Sequence, residues 1–264
     1  MKKQKSIGWC PSTLVPMTSG DGLLVRVKPA FGRLKSHQAR KLALLSKHHG
    51  NGFIDVTNRA NLQIRGIKQA NYPVILKHLQ NSGIASQNKT QDVINLMLSP
   101  LTTRQSLGWR CAEALYNIAH EFPPLPPKFG FAIDCESVRY LQNASTDIRI
   151  EIDKTGRLII RFDGCKQGFL SSEETLQHDI LRALRWFVKS QNKKGCFRRM
   201  RQLITNSGVP DKFTTTMPRN NIKSLHPGLK KNWRVITVPF GQLTAEQLVE
   251  IAEQTLEIMF SINR

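Results

Sequence analysis

The tetrapeptide Phe31-Gly32-Arg33-Leu34 returns 209 positions later as Phe240-Gly241-Gln242-Leu243. At the same offset Gln38 meets Gln247 and Ala43 meets Ala252. In each copy a valine-containing stretch and a proline, Pro29 or Pro239, precede the Phe-Gly pair, and an amphipathic run follows it. A repeated strand–turn–helix unit implies two related α/β lobes with an insertion between them. Carried to the end of the chain, the fixed offset sets Arg264 opposite Asp55. The second lobe is therefore expected to be incomplete and the chain truncated.

Between and around the repeats, periodicity assigns further elements. Residues 22–28 and 53–56 read as strands, and Ser36 opens a helix that runs to His49 before Gly50-Asn51-Gly52. Pro73 suits the first turn of a helix ending near Gly83. Strands are expected at 93–98 and 128–133, with a helix at 106–121 between them, closed by the proline run 123–127. Ile148, Ile150 and Ile152 alternate, Lys154-Thr155-Gly156 turns the chain, and Leu158, Ile160 and Phe162 alternate again, which predicts a hairpin. Ser171 and Glu174 have the spacing of a capping box for a helix with Leu176, Ile180, Leu184 and Val188 on one face. A final strand at 235–238 leads to a helix from Thr244, with Leu248, Ile251 and Ala252 inward. Helices and hairpin-linked strands interleave, so the expected class is α+β.

Lys and Arg number 39 against 19 acids, a formal charge of +20, so an anionic partner is expected. Between Arg182 and Arg234 there are 14 basic residues and one acid, Asp211. That stretch is rich in loop formers and reads as a basic, partly irregular connector with a solvated surface. Its scattered aromatics do not suggest a base-stacking groove, which argues against nucleic acid. No apolar run is long enough for a membrane span, and the basic N-terminus lacks the apolar stretch of a secretory signal. The five cysteines, at 10, 111, 135, 165 and 196, include no C-x-x-C pair. Their spacing argues for a reducing cytoplasm and against a self-contained metal site.

The segment 57–66, Thr-Asn-Arg-Ala-Asn-Leu-Gln-Ile-Arg-Gly, is the most informative for function. If it is extended, Thr57, Arg59, Asn61, Gln63 and Arg65 share one face while Leu62 and Ile64 enter a core. Two guanidinium groups, two amides and a hydroxyl in one row suit a flat ligand edged with carboxylates. The same alternation also describes an ordinary half-exposed strand.

These residues resemble the siroheme-contacting strand of the nitrite and sulfite reductase superfamily, and within it the precorrin-3B synthases of cobalamin biosynthesis. Cys10-Pro11, Pro16-Met17, residues 21–26, 50–52, 98–101 and 125–131 carry further likeness. It is strong over 7–67, patchy to about 165, and returns at 239–252. The resemblance implies a ferredoxin-like half-domain at 1–85. A siroheme and iron–sulfur type α/β lobe with the basic connector would occupy 86–232, and a partial second half-domain 233–264. It implies that Arg59 and Lys128 face an anion held over the macrocycle as catalytic residues. Thr57, Asn61, Gln63 and Arg65 would then meet the tetrapyrrole. It also implies a [4Fe–4S] cluster and an iron or siroheme-type centre, yet the family's C-x5-C and C-x3-C ligand pairs do not occur here. Ile94 stands where the family has an arginine, and Gly130 where the reductases have a second lysine.

Three functions are therefore expected to compete. The first is a precorrin-3B synthase-like oxidoreductase, an oxygen-dependent monooxygenase acting on a precorrin. The second is a non-catalytic tetrapyrrole-binding fragment, or a split subunit whose cluster comes from a separate chain. The third, remote, is a basic nucleic-acid-binding protein. The resemblance leaves the electron donor unassigned.

Overall fold

The computed structural model describes residues 11–85, 94–194, 197–229 and 232–261. In the first lobe a five-stranded antiparallel sheet has the order β1 (Met17–Ser19), β2 (Gly22–Val27), β5 (Leu62–Ile67), β4 (Phe53–Val56), β13 (Gln242–Thr244). Alternation decides its faces. Val25, Val27, Ile54, Leu62, Ile64 and Leu243 are buried in one cluster with residues of α1 (Ser36–His49), α2 (Tyr72–Asn81) and α6 (Ala245–Glu253). The opposite face carries Arg26, Asp55, Gln63, Arg65 and Gln242, and it faces away from the helices.

The sequence repeat is a structural one. Phe31 and Phe240 both adopt left-handed backbone, at φ 55° and 54°, and each is followed by a glycine near φ 70°. The first copy runs β3 (Arg33–Lys35), α1, β4, and the second runs β13, α6, β14 (Glu257–Met259). The copies exchange strands, so that β13 pairs with β4 and β14 with β3. Matching contacts repeat as well. Ser36 N–H donates to Leu256 O and Ala245 N–H to Gly52 O, at 2.9 and 2.8 Å. The Gln38 and Gln247 side chains accept from the backbone N–H of Lys35 and Thr244, at 3.0 and 2.9 Å. Because α6 has 9 residues and α1 has 14, the fixed offset fails beyond the helices. The counterpart of β4 is β14, and the counterpart of Thr57 is Ser261. This corrects the expectation that Arg264 lies opposite Asp55.

The second lobe is a sheet of order β10 (Phe169–Leu170), β9 (Leu158–Phe162), β8 (Ile148–Ile152), β7 (Gly130–Asp134), β6 (Asn95–Leu98). Strands β6, β7 and β8 run parallel, and β8, β9 and β10 form an antiparallel meander. Its apolar face packs on α3 (Leu107–Asn117), α4 (Leu176–Lys194) and Phe213. The other face carries Asp134, Arg149, Glu151 and Arg161, all buried. Alternation of apolar and charged residues ordinarily marks a solvent face. Here residues 139–147 and 214–222 cover it. The covering chain makes single bridges between Gly168 and Thr216, Asp153 and Pro218, and Arg139 and Ile222. Arg149, Glu151 and Arg161 are in ion pairs, since an unpaired buried charge is too costly to persist, while Asp134 accepts backbone N–H groups instead. Glu151 receives Arg139 at 2.9 Å and Arg161 at 2.7 Å, and Arg149 meets Asp163 at 3.1 Å.

The basic segment 182–234 is therefore largely part of this lobe and not a connector. It completes α4, forms α5 (Met200–Ser207), buries Phe213, and supplies the cover. Two smaller expectations also change. The cap of α4 is a reciprocal pair between Ser172 and Thr175, while Ser171 Oγ donates to Asp179. The strand expected at 235–238 shrinks to β12 (Arg234–Val235), paired with β11 (Gly228–Leu229). Between the lobes, the Phe31 ring lies 4.4 Å from that of Trp109 and 5.2 Å from that of Tyr116. Arg33 donates to Thr102 O and pairs with Glu257 at 2.6 Å.

Candidate functional site

The segment expected to be a strand from residue 57 begins as a hairpin tip. Thr57 N–H donates to Asn61 O at 2.8 Å, and Ala60 N–H returns to Thr57 O at 3.0 Å. The Thr57 hydroxyl accepts from the N–H of Arg59 and of Asn61, and Ala60 sits at φ 56°. This local bonding outcompetes extension, as short polar side chains do in turns. The row of five consequently divides. Thr57 and Asn61 are integral to the turn, Arg59 stands at its tip, and only Gln63 and Arg65 lie on β5.

Gln63 sits in a cross-strand line. Arg26 pairs with Gln63, Gln63 with Asp55, and Asp55 with Gln242, across four strands. Their side chains join along that line. Arg26 donates twice to Gln63 Oε1, at 3.1 and 2.8 Å, and Gln242 Nε2 donates to Asp55 Oδ1 at 2.9 Å. Arg65 occupies a bulge, because β5 advances three residues where β2 advances two. The bulge needs glycine next, since Gly66 is at φ +68° and a Cβ there would lie 3.0 Å from Asn51 Cβ. So placed, Arg65 donates to Ser19 Oγ at 2.9 Å and lies 3.5 Å from the Asp21 carboxylate. Arg26, Asp55 and Gln242 were not singled out from the sequence. The signal for Arg26 was present, since it alternates with Val25 and Val27.

Arg59 reaches away from this sheet into the second lobe. Its Nη2 donates to Ser145 Oγ at 3.4 Å, and the same oxygen accepts from Arg199 Nη1 at 3.3 Å. Arg199 is itself fixed. Its Nε contacts both oxygens of Asp147, at 3.0 and 3.1 Å, and its Nη2 donates to Thr146 O at 2.8 Å. Asp147 is fully buried and also accepts from the backbone N–H of Gly130 and Met200. Burial pushes its carboxyl above the usual range, against the pull of Arg199. Lys128 is exposed on the approach to β7, two residues before Gly130. Its backbone is braced by Asn95 Nδ2, which donates to the carbonyls of Pro127 and Phe129. Ser145 and Arg199 thus meet Arg59 at the amino ends of β7 and β8, and Lys128 precedes β7 at the same end of the sheet. Gln63 and Arg65 lie farther down the first sheet. Ile94 is buried in the core and contributes no cation.

The donors that meet here, two guanidinium groups and a hydroxyl from two lobes, suit an anionic ligand. They do not suit an iron–sulfur cluster. Among the described residues, no three His, Cys, Asp or Glu side chains group as metal ligands. Cys111 and Cys135 are buried and Cys165 half-buried, all free thiols, while Cys10 and Cys196 lie outside the described residues. A hydrogen bond with Cys111, together with burial, holds the Cys135 thiol well above its ordinary range and therefore protonated. The basic segment is partly neutralised within the fold. Arg182 pairs with Asp179 at 2.9 Å, and Arg201 with Asp163 at 3.0 Å. No described helix is long and apolar enough to cross a membrane.

Residues 15–82 match the model of the nitrite/sulfite reductase ferredoxin-like half domain, the stretch that ends with β5 and α2. A precorrin-3B synthase of Sinorhizobium sp is 42% identical over 152 residues, which are 56% of this chain and 33% of that protein. A ferredoxin–nitrite reductase of Synechococcus elongatus is 28% identical over 95% of this chain and 58% of its own length. Among solved structures, the NirA protein of Mycobacterium tuberculosis superposes with a TM-score of 0.61 at 16% identity, over 88% of this chain and 50% of NirA. The chain thus spans about a third to three-fifths of the length of these relatives. It has the α+β fold of NirA with a ferredoxin-like half-domain, and the resemblance to precorrin-3B synthase read from the motifs is found again in the curated relative.

Proposed function

We propose that this chain binds a polycarboxylate tetrapyrrole of precorrin or siroheme type between the hairpin tip of the first lobe and the 143–147 loop of the second. The observation that carries this reading is the crossing of Arg59 from the matched half-domain to Ser145, where Arg199 also arrives. In this reading Arg59 and Lys128 hold an oxyanion over the macrocycle, and Gln63 and Arg65 hold its carboxylates. Thr57 and Asn61 shape the turn that presents Arg59. A bound iron tetrapyrrole would supply redox chemistry at its metal, and the chain's residues would bind and orient it.

The activity we infer is that of a precorrin-3B synthase-like oxidoreductase of the cytoplasm, rather than of a nucleic-acid-binding protein. The likeness to precorrin-3B synthase supports the substrate class. The described thiols do not assemble a cluster site, so the cluster expected from the family would be supplied from outside these residues. A separate chain carrying it fits this reading, and the electron donor is left open. The test is an absorbance titration of the protein with siroheme and with siroheme whose carboxylates are methyl esters. Binding of the free acid at least about tenfold tighter than the ester is expected, as charge-assisted contacts are lost on esterification. Equal affinity for the two would refute a carboxylate-reading site.

A further inference from the structure

Ser145 carries one hydroxyl, and two guanidinium groups from different parts of the chain donate to it. A serine oxygen has two acceptor lone pairs and one O–H donor. With Arg59 and Arg199 on its acceptor side, the proton of Ser145 has to point elsewhere. The cluster therefore presents donors in the same place: Nη groups of Arg59 and Arg199, and the Ser145 O–H.

The anchoring of Arg199 is what makes it more than a neighbour. Its Nε and Nη2 are held by Asp147 and by Thr146 O, so the plane of the guanidinium is fixed before any ligand arrives. Asp147 is in turn held by the N–H of Gly130 and Met200. Only the Nη1 edge is turned toward Ser145, and the side chain stays 24% exposed. A fork fixed on two nitrogens and open on the third is pre-organised for an oxyanion, since little rotamer freedom is left to lose. The arrangement also explains how the lobe supplies a cation although Ile94 is apolar and buried. The second arginine comes from the segment preceding α5, more than a hundred residues later in the chain.

We propose that Arg59, Ser145 and Arg199 form one oxyanion pocket across the two lobes, with Arg199 as a ligand-binding residue. The ligand chemistry is a carboxylate of the macrocycle edge or a free inorganic oxyanion, both of which offer the same paired oxygens. This rests on the tetrapyrrole reading for the first source and stands without it for the second.

The experiment titrates siroheme, and separately sodium sulfite alone, into the wild type, Arg199→Lys, Ser145→Ala and the control Arg201→Lys. Arg201 lies two residues further on, within α5, and pairs with Asp163, outside the pocket. Lysine can keep the charge beside Asp147 but cannot present a second edge to Ser145. Ser145→Ala leaves every anchor of Arg199 in place and so remains informative if Arg199→Lys fails to fold. Dissociation constants for the ligand that binds are expected to rise about tenfold in Arg199→Lys and about fivefold in Ser145→Ala. Arg201→Lys should stay within about twofold of the wild type. Loss with siroheme assigns the pocket to a macrocycle carboxylate, and loss with sulfite alone assigns it to a free oxyanion. If the wild type binds siroheme and both pocket variants bind it equally well, the pocket is refuted while the tetrapyrrole reading stands. If the wild type binds sulfite but not siroheme, the tetrapyrrole reading fails and the sulfite arm decides the pocket. No binding of either ligand by the wild type refutes both.

Discussion

Asp134 ends β7 with its carboxylate buried and accepting the N–H of Tyr140 and Leu141, at 2.8 and 2.7 Å. Burial pushes its pKa up to about 6, opposed by those hydrogen bonds. A carboxyl raised in the folded state contributes stability that is fully present below its unfolded pKa near 3.8. That contribution is lost as pH rises through about 6. Asp134→Asn keeps a carbonyl for both N–H groups and removes the titration. Urea unfolding should show the variant gaining on the wild type by about 2 kcal/mol between pH 4 and pH 7. A difference that stays flat across that range would show that Asp134 is not held protonated by its surroundings. At this scale the sequence was informative about residue types and less so about their neighbours. Arg59, Gln63 and Arg65 were legible as donors by alternation. Arg199 was not, because nothing local to residues 198–200 announces that a buried aspartate 52 residues earlier fixes it. A contact between distant segments leaves no periodic trace.

The elements show why one motif can have two fates. Phe31 and Phe240 share the same strained backbone, yet Phe31 rests on Trp109 and Tyr116 while Phe240 is wholly exposed. Truncating Phe31 to alanine should cost about 2–4 kcal/mol in urea unfolding, as for other aromatic truncations at a packed contact. Phe240→Gly loses no packing and relieves the left-handed strain, so it should stabilise by about 1 kcal/mol. Equal effects at the two positions would mean that the repeat's two environments are alike. The cover over the charged sheet face depends on Gly168, where a Cβ would come 2.4 Å from Ile160 O. Gly168→Ala is expected to destabilise by about 1–3 kcal/mol and to speed amide exchange at Thr216, which Gly168 O now holds. Unchanged exchange at Thr216 would show that the cover does not dock through this strand edge. Strands and helices were readable because their apolar periods are local. The hairpin tip at 57–61 and the cover at 214–222 were not. A turn and a strand edge can share the same polar alternation, and single bridges carry no pattern.

The whole molecule is organised by the exchange of strands between the two repeats and by the lobe that the first repeat grips. The repeat visible in the sequence implied two related α/β lobes with an insertion between them, and the structure adds that β13 and β14 of the second copy pair with β4 and β3 of the first. The basic charge also reads differently at this scale. Arg139, Arg149 and Arg161 are buried in ion pairs, Arg182 and Arg201 are paired, and Arg199 is turned to the junction where Arg59 arrives. Among the described residues these arginines are therefore committed within the fold, and Arg59 and Arg199 meet on one hydroxyl at the lobe junction. The most direct measurement is an equilibrium titration of siroheme against the wild type and the Arg59→Ala, Arg65→Ala double variant, with circular dichroism to confirm that both are folded. Saturable binding by the wild type and about 30-fold weaker binding by the variant are expected, since two charge-assisted contacts are worth roughly 1 kcal/mol each. Equal binding by the two proteins would contradict a tetrapyrrole site built on Arg59 and Arg65.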